Sequence, residues 1–206
     1  AALDPELIRF FGVLGIEVLQ GFGITECSPV VSVNRHGKNV IGSVGLCLPC
    51  CEMKIEGREI CVRGDSVSPG YYNDPDATAK SFRNGWFHTG DMGRLDEKGN
   101  LFFEGRIKNL IILDNGENVS PEEVENYYYR SSAVKDCLVS ETDIDGKAAI
   151  LLEVLPAPGT DEKEVMEELA ALTGKLPPAM RPARTVIRHE DFARSASMKI
   201  IRDKRK

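Results

Sequence analysis

The chain has 206 residues, 42% hydrophobic and 28% charged, and a formal net charge of −6. This is the balance of a soluble globular chain with room for one large or two modest domains. It argues against a general nucleic-acid binder, and no apolar run reaches membrane-spanning length. In chain order, residues 5–14 read as a short helix with Asp4 as N-cap, Pro5 at the first helical position, and Leu7, Phe10, Phe11 and Leu14 on one face. Residues 16–20 read as a buried strand running into the glycine-rich loop Gly21-Phe-Gly-Ile-Thr-Glu26. From residue 40 to 103 short β segments alternate with turns. The segments include 52–56, 59–63 and 100–104; the turns fall at Gly64-Asp65, Asn73-Asp-Pro75 and Lys98-Gly-Asn100. That spacing predicts a small antiparallel barrel or curled sheet.

The pattern changes after Arg106. Residues 110–113 form an apolar strand, followed by the turn Asp114-Asn-Gly116. Ser120-Pro-Glu-Glu123 has the form of a capping box with proline at the first helical position, and Val124, Tyr127 and Tyr128 supply the buried stripe of the helix it opens. Strands are expected at 134–139 and 148–155. A second helix starts at Asp161-Glu-Lys-Glu164, with Val165, Leu169 and Leu172 inside and Gly174 at its end, and a last strand is expected at 185–188. The expected fold class is α+β. Residues 1–105 would be part of a larger domain, helix and strand first and then a β-barrel-like subdomain; residues 106–206 would be a compact α+β domain.

Two segments carry chemistry. In Gln20-Gly-Phe-Gly-Ile-Thr-Glu26 the glycines allow close backbone approach, Phe22 offers a flat face for a base, Thr25 can bond a phosphate oxygen, and Glu26 can hold Mg2+. In the stretch from Gly85 to Lys108, Asp91 and Arg106 fall on either side of a predicted turn. A carboxylate accepts from two vicinal hydroxyls and a guanidinium donates in a planar fork, so the pair suits a nucleotide ribose. His88 reads as a packed residue rather than a general base. Trp86 and the Tyr127-Tyr-Tyr129 run read as core and helix surface. The six cysteines include Cys47-Leu-Pro-Cys50-Cys51. No second ligand pair follows that CxxC, so these cysteines read as small apolar residues.

Taken in order, these motifs resemble the adenylate-forming superfamily of acyl-CoA synthetases, peptide-synthetase adenylation domains and luciferases. The resemblance runs through the Phe22–Glu26 loop, Ile41-Gly-Ser-Val-Gly45 with Pro49, and Arg63-Gly64. It continues in Gly70-Tyr-Tyr-Asn-Asp-Pro75 with Thr78 and Phe82, and in His88-Thr-Gly-Asp91. Gly105-Arg-Ile-Lys-Asn-Leu-Ile111, the run Asn115 to Glu125, and Ser195-Ala-Ser-Met-Lys199 complete it.

The resemblance implies that Phe22 stacks on adenine and Gly23 lies against the nucleotide. Thr25 and Glu26 meet phosphate and Mg2+, and Asp91 and Arg106 hold the ribose. Lys108 becomes the hinge and Lys199 the adenylation lysine, while Gly116, Glu117 and Asn118 form the loop that serves thioester formation. Met198 stands where the family usually has glycine, Asn109 where it has aspartate, and Phe22 where it has tyrosine. The implied substrates are a fatty acid, ATP with Mg2+, and CoA. The Ser/Thr/Gly-rich phosphate loop is not present, which implies a C-terminal fragment inactive by itself. The alternatives are a domain that loads a carrier protein and a non-catalytic nucleotide-binding module. Without a signal segment in Ala1-Ala-Leu-Asp-Pro-Glu6, the expectation is a cytoplasmic protein, peripheral to a membrane at most through its substrate.

Overall fold

The computed structural model describes residues 3–196 and 200–202. The chain is α+β and divides into two compact units, Ala1–Lys108 and Asn109–Lys206.

In the first unit, helix α1 spans Pro5–Val13, and the Asp4 side chain accepts from the Glu6 N–H at 2.7 Å, as an N-cap should. The buried residue of this helix is Ile8. Leu7, Phe10 and Leu14, expected on the inner face, are 40%, 58% and 59% exposed, and Phe10 meets the Phe11 ring edge-on at 5.8 Å. Residues 16–20 form no strand and are mostly exposed. The strand starts later, at β1 (Gly21–Gly23), where β2 (Val30–Val33) supplies a pairing partner; β3 (Leu46–Cys47) completes this antiparallel sheet. Three longer strands, β4 (Cys51–Glu56), β5 (Glu59–Gly64) and β7 (Trp86–Leu95), form a second antiparallel sheet with the short β6 (Phe82–Arg83). Strand β8 (Leu101–Arg106) also pairs with β7, so β7 is shared along its length. Phe22, Val31, Ile60, Val62, Phe87 and Leu101 from both sheets fill one core, the curled-sheet arrangement anticipated from the turn spacing.

The expected turn at Asn73–Pro75 is present, with Asn73 at φ 53°, and it leads directly into helix α2 (Pro75–Ser81). Asp74 caps it by accepting from the Ala77 N–H at 2.9 Å, and Pro75 takes the first position.

The second unit begins with the two-stranded β9 (Ile111–Ile112) and β10 (Asn118–Val119). Helix α3 (Pro121–Tyr128) buries Val124 and Tyr128. Its capping box does not close. The Ser120 hydroxyl donates to Glu122 Oε2 at 3.2 Å instead of accepting from the helix amides, so proline and the acidic first turn mark the helix start. Strands β11 (Val134–Ile144) and β12 (Lys147–Pro156) run five residues and one residue past their expected ends. The reason is the two-residue turn Asp145-Gly146, with φ of 54° and 77°, whose twist suits a tight hairpin. Helix α4 (Glu162–Lys175) keeps Gly174 inside its last turn and buries Val165 and Leu169, and β13 (Arg184–Ile187) pairs parallel to β12. Tyr128, Val139, Leu152, Val154, Val165 and Leu169 make up much of the second core.

Candidate active site

Within the first unit a cleft of about 650 Å³ is lined by Ile24, Thr25 and Glu26 from the glycine loop and by Tyr71 from the segment before α2. Glu59, Phe87, His88, Thr89 and Gly90 come from the central strands. Lys80, Ser81, Arg83, Arg106, Ile107 and Lys108 complete the wall. Four cationic side chains (Lys80, Arg83, Arg106, Lys108) face two carboxylates, Glu26 and Glu59, a balance that favours an anionic occupant.

The glycines of the loop serve the fold. A Cβ on Gly23 would lie 2.6 Å from the Pro29 carbonyl oxygen, and one on Gly21 would lie 2.9 Å from that of Ser32. The close approach they permit is to the neighbouring strand. Phe22, expected to present a ring to a base, is 7% exposed and stacks on Phe103 with ring centroids 6.0 Å apart. Burying an aromatic ring in an available core outweighs displaying it to water. The loop then turns through a short 3₁₀ helix at Thr25–Cys27, which leaves the Thr25 side chain exposed and puts Thr25 and Glu26 on the cleft wall.

Glu26 is held by a residue that sequence reasoning left unassigned. The Tyr71 hydroxyl donates to Glu26 Oε1 at 2.8 Å. Burial, and then Glu26 itself, push the Tyr71 phenol above its ordinary value, so it stays a donor at neutral pH. Thr78 positions Tyr71. Its hydroxyl accepts from the Tyr71 N–H at 2.9 Å and donates to the Asp74 carbonyl at 2.7 Å. Gly70, with φ of 151°, leaves the space that Thr78 fills. The Gly-Tyr-Tyr-Asn-Asp-Pro motif thus acts as a brace on Glu26. A carboxylate has roughly four acceptor positions, and the tyrosine occupies one.

Asp91 and Arg106 come together as the sequence anticipated. They are direct partners in the antiparallel β7–β8 ladder, and Arg106 Nε lies 2.8 Å from Asp91 Oδ1. The Arg106 side chain is 43% exposed and lines the cleft, while that of Asp91 is 4% exposed and lies beneath it. The intervening residues set this geometry. The Thr89 hydroxyl donates to the Ile60 carbonyl at 2.8 Å and accepts from the Asp91 N–H at 3.0 Å. Gly90, at φ 70°, donates its N–H to Glu59 Oε1 at 2.9 Å. His88 is 9% exposed at its side chain and pairs through Nδ1 with Glu59 Oε2 at 2.8 Å. Trp86 lies beneath Lys54 and Arg63, which stack on its ring.

The remaining expected residues fall elsewhere. Lys108 is exposed in a 3₁₀ turn after β8 and is the last residue of the first unit. Gly116 and Glu117 lie in the turn between β9 and β10, and Asn118 is the first residue of β10. The Gly116 N–H donates to the Leu113 carbonyl at 2.8 Å, and the Asn115 amide to Glu117 Oε2 at 2.6 Å. Lys199 lies outside the described residues. The six cysteines are free thiols. Burial pushes Cys27 and Cys47 up to about 12 and Cys61 up to about 11.

The curled sheets are those of the adenylate-forming fold, and the chain belongs to the AMP-binding family. Residues 1–72 match the family described as AMP-binding enzyme. Among curated relatives, the chain is 39% identical over 140 residues to a long-chain-fatty-acid–CoA ligase of Salmonella typhimurium, an alignment covering 62% of this chain and 25% of that protein. It is 36% identical over 189 residues to long-chain-fatty-acid–CoA ligase 6 of Homo sapiens, covering 84% of this chain and 26% of that protein. The chain therefore spans about a quarter of the length of these relatives. Among solved structures, it superposes on o-succinylbenzoate CoA synthetase from Bacillus subtilis in complex with its acyl-adenylate intermediate. The TM-score is 0.86 at 28% identity, over 97% of this chain and 43% of that one. The same synthetase with ATP and magnesium gives 0.84 at 29% identity, over 97% and 43%.

Proposed function

We propose that this chain supplies the ribose and phosphate wall of a long-chain fatty-acyl-CoA synthetase. The observation that carries the reading is the Asp91–Arg106 pair, at 2.8 Å, against the cleft that Thr25 and Glu26 also line. Arg106 donates to the ribose, and Asp91 holds the guanidinium in place and accepts from a hydroxyl reaching past it. Thr25 meets the phosphates, and Phe22 and Gly23 shape the loop against the neighbouring strand. Glu26 is a hard oxygen donor on the cleft wall, the kind Mg2+ takes alongside phosphate oxygens. Mg2+ travels with ATP as substrate.

In the first half-reaction a fatty-acid carboxylate oxygen attacks the α-phosphorus, the P–O bond to pyrophosphate breaks, and acyl-AMP forms. In the second, the CoA sulfur attacks the acyl carbonyl carbon, AMP leaves with the C–O bond electrons, and the thiol proton goes to solvent. Lys199 offsets charge on the phosphate in the first step. Lys108 is the hinge, and the Gly116–Asn118 segment serves the second step. The curated CoA-ligase relatives favour CoA over a carrier protein as acceptor.

The test is Asp91→Asn in the full-length protein, assayed by fatty-acid-dependent ATP–pyrophosphate exchange. Loss of charge-assisted hydrogen bonds to the ribose should lower kcat/KM for ATP by about a hundredfold. An unchanged KM for ATP counts against the assignment.

A further inference from the structure

Strands β5 and β7 gather three metal-ligating side chains. Glu59 and Cys61 are two apart on β5, so the pleat turns both toward one face. Cys61 sits directly opposite His88 in the ladder. The pairing then slips, and Met92 faces Glu59, so four residues of β7 are matched by two of β5. The Gly90 N–H in that bulge holds Glu59 Oε1 at 2.9 Å, which swings Glu59 Oε2 to 2.8 Å from His88 Nδ1. Cys61 Sγ lies 3.4 Å from the same nitrogen. One ligand atom from each residue lies within 4.8 Å of the others, and among the described residues this is the group of three or more such donors that does so.

We propose that Glu59, Cys61 and His88 form a binding site for a soft divalent transition ion, zinc above all. A thiolate, an imidazole nitrogen and a carboxylate oxygen are the donor set that Zn2+ takes, whereas Mg2+ and Ca2+ prefer all-oxygen cages. Ligand atoms around a tetrahedral zinc ion sit roughly 3.3–3.8 Å apart. The sulfur–nitrogen spacing already matches. The Glu59–His88 spacing must open by about half an ångström, within reach of a small carboxylate rotation. Arg83, 3.8 Å from Glu59 Oε2 and 52% exposed at its side chain, can swing into solvent as the ion enters. Glu59 and His88 line the cleft while Cys61 is fully buried, so the ion enters from the cleft and keeps its fourth position toward it. Coordination replaces the thiol proton, which leaves to solvent. The paired cysteines Cys47 and Cys51, with sulfurs 3.5 Å apart, are the internal control, because they bring no imidazole or carboxylate with them.

The experiment is a Co2+ titration of the reduced, chelator-treated 206-residue chain, read by absorbance. Expected are a thiolate-to-cobalt charge-transfer band and intense tetrahedral d–d bands that saturate at one ion per chain and bleach when Zn2+ is added. Cys61→Ser should abolish the charge-transfer band, and the Cys47→Ser, Cys51→Ser double variant should keep it. Glu59→Gln leaves the buried thiol in place, guarding against a folding defect, and should weaken Co2+ on the order of tenfold or more. The proposal is overturned by no saturable band in the unaltered chain, by a band that survives Cys61→Ser, or by unchanged affinity in Glu59→Gln.

Discussion

Two glycines with the same backbone sign and opposite surroundings give the sharpest test of how the cleft wall is supported. Gly45 has φ of 81° and Gly57 has φ of 60°, so alanine at either position costs about 1 kcal/mol in the left-handed region. Around Gly57 nothing lies within 4 Å of an added Cβ, whereas at Gly45 the Cβ would fall 2.0 Å from the Val33 carbonyl carbon and 2.1 Å from the Asn34 nitrogen. Both obstacles are backbone atoms, so β2 must separate from the segment carrying Gly45. That separation threatens the Leu101 N–H bond to the Gly45 carbonyl (2.9 Å), the Val44 N–H bond to the Leu101 carbonyl (2.7 Å), and the buried Ser32 hydroxyl bond to the Val44 carbonyl (2.9 Å). At about 1 kcal/mol net for each bond, Gly45→Ala should cost about 4 kcal/mol in total and Gly57→Ala about 1. Leu101 begins β8, whose last residue is Arg106, so the first variant should also weaken AMP binding. Urea denaturation followed by fluorescence reads this unit directly, because Trp86 is the single tryptophan. Equal costs at the two glycines would refute the argument that close backbone approach is what Gly45 provides.

Tyr71→Phe removes the donor to Glu26 from a residue that is 36% exposed, so stability should fall by less than about 1 kcal/mol while the Mg2+ requirement of the full-length enzyme rises several-fold. A Mg2+ titration of pyrophosphate exchange decides this, and an unchanged curve removes the brace. Lys199→Ala should slow adenylation by about a hundredfold or more yet spare thioester formation from supplied acyl-adenylate; equal loss in the two half-reactions contradicts the role. In the second unit, burial pushes the Glu125 carboxyl up from 4.5 to about 7, against the opposing pull of Arg202 and the Val139 N–H. The native state then holds this proton more tightly than the unfolded chain does. Its contribution is fully present below about pH 4.5 and lost as pH rises through about 7, at most about 3 kcal/mol. Glu125→Gln should flatten that decline in urea unfolding followed by circular dichroism, and parallel pH profiles for the two proteins would refute the sign.

Elements with local causes were legible in the sequence. Asp4-Pro5 opens α1, the apolar run Ile60-Cys-Val62 bounded by turns marks β5, and Val165 and Leu169 mark the inner face of α4, because caps, turns and helical periods are written in neighbouring residues. Boundaries were less legible where a turn decided them. Asp145-Gly146 is a hairpin signal that would have extended both flanking strands, and Asp74-Pro75 is a helix start as readily as a turn. The inner face of α1 and the strand at 16–20 were misread because apolar residues imply a partner surface, and what covers them is a property of the surroundings.

By itself, the sequence determined the order of the motifs and the chemistry each can offer: a carboxylate and a guanidinium flanking a turn, and a threonine and a glutamate after a glycine loop. Only the tertiary structure decided which of them meet. It set Asp91 beneath Arg106 across the β7–β8 ladder, turned Phe22 into the core, braced Glu26 with a tyrosine 45 residues away, and drew Glu59, Cys61 and His88 around one point. The physical reason is range. Residue type and spacing specify local conformation, whereas strand register and a bulge at Gly90 decide which side chains from distant segments share a face, and those depend on packing of the whole sheet.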